Sequence, residues 1–168
     1  MNFIETQRAC FLIGSNLGDR LGLISKAIGM LHQRLGDNIK VSGVYATAPW
    51  GTLSPEEYLN IAISLDTHYS PLETMQKALQ IERELGRIRT GILNEPRSID
   101  IDLVLFGAVT LNTEVVTVPH PRMHLRKFVL LPLSEIEPHM VNPVLQKTVG
   151  EMLAECTDTL PVEIFTHI

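Results

Sequence analysis

Apolar residues recur at different spacings along this chain, and each spacing predicts a different element. Arg8–Gly14, RACFLIG, is a short continuous apolar run, the signature of a buried strand. It leads into Ser15–Asn16–Leu17–Gly18–Asp19, a turn with several candidate helix N-caps. From Arg20 onward Leu21, Ile24, Ile28, Leu31 and Leu35 repeat at helical spacing, and the stripe ends near Gly36–Asp37–Asn38. Lys40–Tyr45 reads as a second strand and Tyr58–Asp66 as a third. Between them Ala46–Glu57 holds two prolines and the only tryptophan, Trp50, and connections of that length are more often functional or disordered than structural.

Ser70–Pro71 starts a second helix with Leu72, Met75, Leu79, Glu82 and Leu85 on its inner face. Glu82 interrupts that apolar stripe one turn before Arg87, which predicts a salt bridge to Arg87 or Arg89. The segment Arg87–Arg97 is a second lid-like loop, and Ser98–Phe106 follows as a strand. Side chains at i and i+2 of a strand share a face, roughly 6.5–7 Å apart. Asp100, Asp102, Val104 and Phe106 therefore share one face, and Ile99, Ile101, Leu103 and Leu105 the other. A strand apolar on both faces predicts a central, covered position. Val109–Asn112 and Glu114–Val118 read as a hairpin, Phe128–Ile136 as a core helix or extended packing, Val144–Cys156 as an amphipathic helix, and Val162–Phe165 as a last strand.

Composition narrows the classes. The 168 residues, 45% hydrophobic and 20% charged, suit one globular domain over 1–168. No apolar run approaches membrane-spanning length, and MNFIETQRAC lacks the apolar stretch of a secretory signal, so a cytoplasmic protein is expected. Cys10 and Cys156 are isolated and read as reduced packing residues. A net charge of −5 with 5% aromatic residues argues against a nucleic-acid surface, including an RNA-binding sheet. Functional positive charge must be local, as it is in Arg87, Arg89 and Arg97.

That concentration adjoins the most informative pair in the chain. Two carboxylates at the start of a covered strand repel each other and resist burial, so Asp100 and Asp102 call for a cation. Neighbouring arginines, a divalent metal, or both can supply it. Oxygen-only ligands with room for water and phosphate suit Mg²⁺, and arginines nearby suit bidentate phosphate contacts. The strand-to-helix turn at Ser15–Asp19 can also take an anion, but it is neither GxxxxGK[ST] nor GxGxxG. His120 and His124 are four apart, yet Pro119 and Pro121 forbid a helix there and HExxH is absent, which speaks against zinc. Arg122, Arg126 and Lys127 make that segment a second candidate anion contact. Asn60, the one polar residue amid an apolar strand, must be satisfied by backbone or by a heterocycle's donor–acceptor edge.

FLIGSNLGDR, VSGVYATAPWG, YLNIAISLDT, GRIRT…EPRSIDIDLVLFG and VPHPRMHLRKFVLLPLSEI together resemble the 6-hydroxymethyl-7,8-dihydropterin pyrophosphokinase family, over nearly the whole length. The resemblance implies an α+β, ferredoxin-like βαββαβ core, an antiparallel sheet with helices packed on it. It implies transfer of diphosphate from ATP to the hydroxymethyl oxygen of 6-hydroxymethyl-7,8-dihydropterin, releasing AMP, in folate biosynthesis. By matching positions, Asp100 and Asp102 correspond to ligands of two Mg²⁺ ions and, with Arg87 and Arg97, to the catalytic set. Thr47, Ala48, Trp50, Tyr58, Asn60 and Phe128 fall at pterin positions. Leu79, Glu82, Ser98, Ile99, Val118, His120 and Arg126 fall at nucleotide positions, along with the two arginines. The implied partners are these small molecules alone, with no nucleic acid, no membrane and a monomeric state. Asn94 in Leu93–Asn94–Glu95 and Pro121 stand where relatives often carry aromatics, and Val115 where a basic residue can occur. A catalytically dead relative should have lost Asp100, Asp102 or Arg97, and all three are present.

Overall fold

In a computed structural model, residues 5–48, 57–88, 90–92 and 97–168 are described, and the chain forms β1 (Gln7–Ser15), α1 (Arg20–Leu35), β2 (Gly36–Val41), β3 (Val44–Thr47), β4 (Tyr58–Thr67), α2 (Pro71–Glu84) and β5 (Asp100–Phe106). A small hairpin follows, β6 (Leu111–Asn112) with β7 (Thr117–Val118), then a 3₁₀ turn Met123–Leu125 and α3 (Lys127–Ile136). The chain ends with β8 (Val141–Asn142), β9 (Lys147–Thr148), α4 (Val149–Glu155) and β10 (Val162–Thr166). The main sheet has six strands, ordered β10-β3-β4-β1-β5, with β2 also paired to β4. All its pairings are antiparallel. With β2 and β3 counted as one bent strand, β1-α1-β2/β3-β4-α2-β5 is a ferredoxin-like βαββαβ unit, and β10 extends its edge.

Local chemistry accounts for the helix limits. The Asp19 carboxylate caps α1 by accepting from the Gly22 N–H, and α2 opens on a reciprocal capping box between Ser70 and Glu73 with Pro71 in its first turn. At Gly36 helix passes directly into strand. A Cβ there would lie 1.8 Å from the Asp66 carbonyl oxygen, so only glycine lets the two backbones meet.

The sheet separates two apolar clusters. On one face Phe11, Ile13, Ile61, Ile63, Ile101 and Leu103 pack with Ile24 and Leu31 of α1 and Ala78 and Ile81 of α2. On the other, Cys10, Leu12, Ala62, Val104 and Leu105 pack with Leu130 and Leu133 of α3 and Met152 of α4. The second cluster stops at Leu12. Beyond it, toward the end of the sheet where β1 meets the start of β5, the same face turns polar.

The structure corrects several expectations. Lys40–Tyr45 is two strands, because an extra residue enters the pairing with β4 between Val41↔Ile63 and Tyr45↔Asn60. There the Ser42 hydroxyl accepts from the Ala62 N–H in place of a ladder carbonyl. The strand bearing the two aspartates is covered but not central. β5 is the last strand of the order, and its outer edge is shielded where His120 N–H donates to the Val104 carbonyl. A register shift against Cys10/Phe11 also ends the simple alternation after Val104, so Phe106 joins the α1/α2 cluster and Leu105 the α3/α4 cluster. The inner face of α2 is Met75, Ala78, Ile81 and Glu82, with Leu72, Leu79 and Leu85 at its margin. The expected helix Val144–Cys156 begins only at Val149. Asn142 accepts from the Val144 and Leu145 N–H groups and Gln146 takes a positive φ of 56°, which turns that stretch into the β8–β9 hairpin before Thr148 caps α4. Cys10 is buried and Cys156 half-buried, and both are free thiols. Among the described residues no helix is long and apolar enough to cross a membrane.

Candidate functional site

Residues of β1, β3, β4, β5 and β10 and the start of α3 converge where the sheet face turns polar. Register places Gly14 of β1 between Asn60 of β4 and Asp100 of β5, and Leu12 between Ala62 and Asp102. Above this row lies a cleft of about 700 Å³. Its walls include Thr47, Ala48, Tyr58 and Asn60 on one side and Arg97, Asp100, Asp102, Arg122 and Arg126 on the other, with Phe128 from the first turn of α3. Apolar surface on one flank and charge on the other suit an amphiphilic heterocycle beside an anion.

The charged flank is internally biased. Arg97 donates to Asp100 at 2.9 Å, both side chains being about three-quarters shielded. Burial opposes the Arg97 charge, but Asp100 and Asp102 nearby hold its pKa above the ordinary value. The Asp102 carboxyl is pushed up to about 7, chiefly by burial, then by the like charges of Asp100 and Glu82; Arg97 and Arg126 offset only part of this. Arg126 goes the other way: burial and the repulsion of Arg122 lower its pKa, although both aspartates favour its charge. His120 is likewise lowered, by burial and then by Arg126 and Arg122. Two adjacent carboxylates, Asp102 held against its ionisation beside Asp100, both lining a cleft, form a donor set that fits a hard divalent cation completed by water and phosphate oxygens. Among the described residues there is no group of three His, Cys, Asp or Glu that could hold a metal by themselves.

Asn60 is buried, and its amide donates to the Thr47 hydroxyl at 3.3 Å. Its side chain lies over Gly14, where a Cβ would come within 2.9 Å of Asn60 Oδ1. The Arg97 end is pinned by the β1–α1 turn. Asn16 N–H donates to the Arg97 carbonyl at 3.1 Å, and Arg97 N–H to Asn16 Oδ1 at 2.8 Å. The Ser15 hydroxyl donates to the Ser98 carbonyl. That turn therefore serves as a brace for the arginine segment.

Of the residues singled out in the sequence, the cleft brings together Thr47, Ala48, Tyr58, Asn60, Arg97, Asp100, Asp102, Arg126 and Phe128. Others lie off it. Ile99 and Val118 are buried in the α1/α2 cluster with Leu79 at its margin, and Arg87 is buried just beyond α2. Glu82, buried on α2, accepts from the Ile101 N–H at 2.7 Å and so ties α2 to β5 directly beneath the acid pair. His120 and Val118 line a separate cavity of about 300 Å³. Trp50, Arg89 and Leu93–Asn94–Glu95 lie outside the described residues, and with them much of both long loops. Sequence reasoning passed over Leu12, Gly14, Leu125, Asp158, Leu160 and Val162, which also line the cleft. FLIG ending in glycine inside a strand was a signal for Gly14; the C-terminal three carry none.

A family model described as 7,8-dihydro-6-hydroxymethylpterin-pyrophosphokinase (HPPK) matches residues 10–138. Proteins named 2-amino-4-hydroxy-6-hydroxymethyldihydropteridine pyrophosphokinase are similar to the chain. One from Bacillus subtilis is 42% identical over 129 residues, 76% of this chain and 77% of its own. One from Aquifex aeolicus is 37% identical over 145 residues, 86% of this chain and 89% of its own. The folic acid synthesis protein fol1 of Schizosaccharomyces pombe is 38% identical over 88% of this chain, which spans only 20% of that protein. Among solved structures, the Plasmodium falciparum HPPK-DHPS with pterin and p-hydroxybenzoate superposes with a TM-score of 0.70 at 16% identity, over 90% of this chain and 42% of that one, a likeness of fold. The chain thus spans less than half the length of that fusion.

Proposed function

This chain belongs to the 7,8-dihydro-6-hydroxymethylpterin-pyrophosphokinase family, and we propose that it transfers the terminal diphosphate of ATP to the hydroxymethyl oxygen of 6-hydroxymethyl-7,8-dihydropterin, releasing AMP, in folate biosynthesis. The observation that carries this reading is the position of Asp100 and Asp102, on the floor of a cleft between a basic flank and an Asn60–Phe128 flank.

The substrate oxygen attacks the β-phosphorus. The bond from that phosphorus to the α,β-bridging oxygen breaks, AMP leaves with the electron pair, and the hydroxyl proton is lost. Reactions of this kind gain mainly from positioning and charge cancellation, and orientation alone is worth roughly 7–11 kcal/mol. Asp100 and Asp102 are the residues that hold Mg²⁺, two ions in this reading, which when bound neutralises phosphate charge. Arg97 holds phosphate oxygens and Arg126 adds charge from the helix side; Arg87 is assigned to the same phosphates by the family likeness, from a buried position outside the cleft wall. Asn60 supplies paired hydrogen bonds to the pterin's donor–acceptor edge, Phe128 a stacking face, and Thr47, Ala48 and Tyr58 the remaining wall. Of the residues expected on the nucleotide side, Ser98 precedes β5 and His120 lies on its outer edge; Leu79, Glu82, Ile99 and Val118 pack behind that edge and support it rather than line the cleft.

The test is product identity. Incubated with ATP, Mg²⁺ and 6-hydroxymethyl-7,8-dihydropterin, the protein should release AMP in step with pterin consumed. Release of ADP, or AMP formation independent of the pterin, would overturn the reading.

A further inference from the structure

The match to the family model ends at residue 138, yet the cleft does not. After α4 the chain crosses the start of α3 and joins the sheet as β10, where Val162 pairs with Thr47. On the way Asp158, Leu160 and Val162 enter the wall of the cleft. The crossing is tied at one residue. Asp158 Oδ2 accepts from the backbone N–H of Lys127 at 3.0 Å, and its Oδ1 accepts from the Leu160 N–H at 3.0 Å.

The first of these bonds answers a local deficiency. The cap position of α3 is Arg126, whose side chain is a donor and makes no capping bond. The first N–H groups of a helix have no partner within it, and an acidic group there is also favoured by the helix dipole. Asp158, thirty-one residues beyond Lys127, supplies the acceptor that Arg126 cannot. What it anchors is the turn carrying Arg126 and Phe128, which face the cleft from opposite functional sides. Its second oxygen fastens that turn to the segment carrying Leu160 and Val162.

We infer that Asp158 is a positioning residue for the substrate cleft, latching the first turn of α3 to a C-terminal wall made of Leu160 and Val162. The ligand consequence rests on the pyrophosphokinase reading above; the latch itself does not. When only a fraction of molecules has the turn in place, apparent affinity falls by that fraction, while saturating substrate restores the competent form. Loss of the latch should therefore appear in KM and leave kcat nearly intact.

The experiment uses the full chain with Asp158→Ala, Asp158→Asn and, as control, Thr148→Ala, which removes the cap of α4 away from the cleft. Asp158→Ala should raise KM for the pterin and for ATP about tenfold, the scale of a lost helix cap expressed as a fraction closed, with kcat within about twofold. Asp158→Asn keeps one acceptor oxygen and should fall between it and wild type. Thr148→Ala should lower Tm without changing either KM. Hydrogen exchange of the Lys127 and Leu160 amides, measured without substrates, should quicken in Asp158→Ala, less in Asp158→Asn, and not in Thr148→Ala. Unchanged KM values in Asp158→Ala, or equal rises in Thr148→Ala, would overturn the positioning role even if Tm falls. If the wild-type chain releases no AMP, the pyrophosphokinase reading fails, and the exchange comparison still decides the latch: unchanged exchange in Asp158→Ala overturns it.

Discussion

The stress on the acid pair has a measurable cost in the ligand-free protein, and Asp102→Asn isolates it. In the folded chain burial and the neighbouring carboxylates push the Asp102 carboxyl up to about 7, against its ordinary value of about 3.8 in the unfolded chain. Between those values the folded state binds more protons than the unfolded one, so stability falls as pH rises from about 4 to 7 and is lowest above 7. At about 1.4 kcal/mol per tenfold change in acidity the full shift corresponds to roughly 4 kcal/mol. Asp102 is partly open to the cleft and shares its repulsion with Asp100, so about 2 kcal/mol is the expected share. Asparagine is nearly isosteric and does not ionise. Urea denaturation should therefore find Asp102→Asn about 2 kcal/mol more stable than wild type at pH 8, and the gain should shrink toward zero near pH 4. Millimolar Mg²⁺ with a non-hydrolysable ATP analogue should stabilise wild type through binding to the folded state and stabilise the variant much less. Activity of the variant should be lost despite the added stability. A stability difference that does not vary with pH would refute the reasoning, because it would show that Asp102 is not held against its ionisation.

Other consequences follow from single contacts. Gly14→Ala places a methyl 2.9 Å from Asn60 Oδ1; the displaced amide should raise KM for the pterin about tenfold, with circular dichroism unchanged and KM for ATP affected far less. Ser70→Ala removes the cap of α2 and should cost about 1 kcal/mol in chemical denaturation without altering KM. His120 should titrate below 6.5 by NMR, and Arg126→Ala should raise that midpoint, since repulsion by Arg126 contributes to its lowering. Arg97→Lys keeps the charge but loses the planar fork, so kcat should fall at least tenfold with little change in Tm.

The order of elements was legible because burial on each side of the sheet is written at two distinct periods. The α1 stripe through Ile24 and Leu31 and the β1 and β4 runs leave little choice of partner. What stayed hidden depended on contacts between distant segments. Nothing in Ser98–Phe106 distinguishes a central strand from an edge strand whose side is covered by His120, since both are apolar on two faces. A hairpin at Val144–Gln146 reads like helix until Asn142 is seen to accept from two N–H groups beyond it. In the site, Asp100, Asp102 and Arg97 were visible as chemistry that an ordinary strand does not need. Asp158 was not, because one acidic residue in a polar stretch acquires its meaning only from the Lys127 N–H it meets. The Glu82 carboxylate also accepts from the Ile101 N–H, a contact with β5 that its place in the helical stripe does not announce and that couples α2 to the aspartate strand.

The proposal turns on whether Asp100 and Asp102 jointly receive a divalent cation together with nucleotide. Mn²⁺ titrated into the protein with a non-hydrolysable ATP analogue, followed by electron paramagnetic resonance, reads this without requiring turnover. Wild type should remove Mn²⁺ from the free-ion signal beyond what the nucleotide binds alone, and Asp100→Ala and Asp102→Ala should each abolish that excess. Undiminished uptake in either variant would contradict the account.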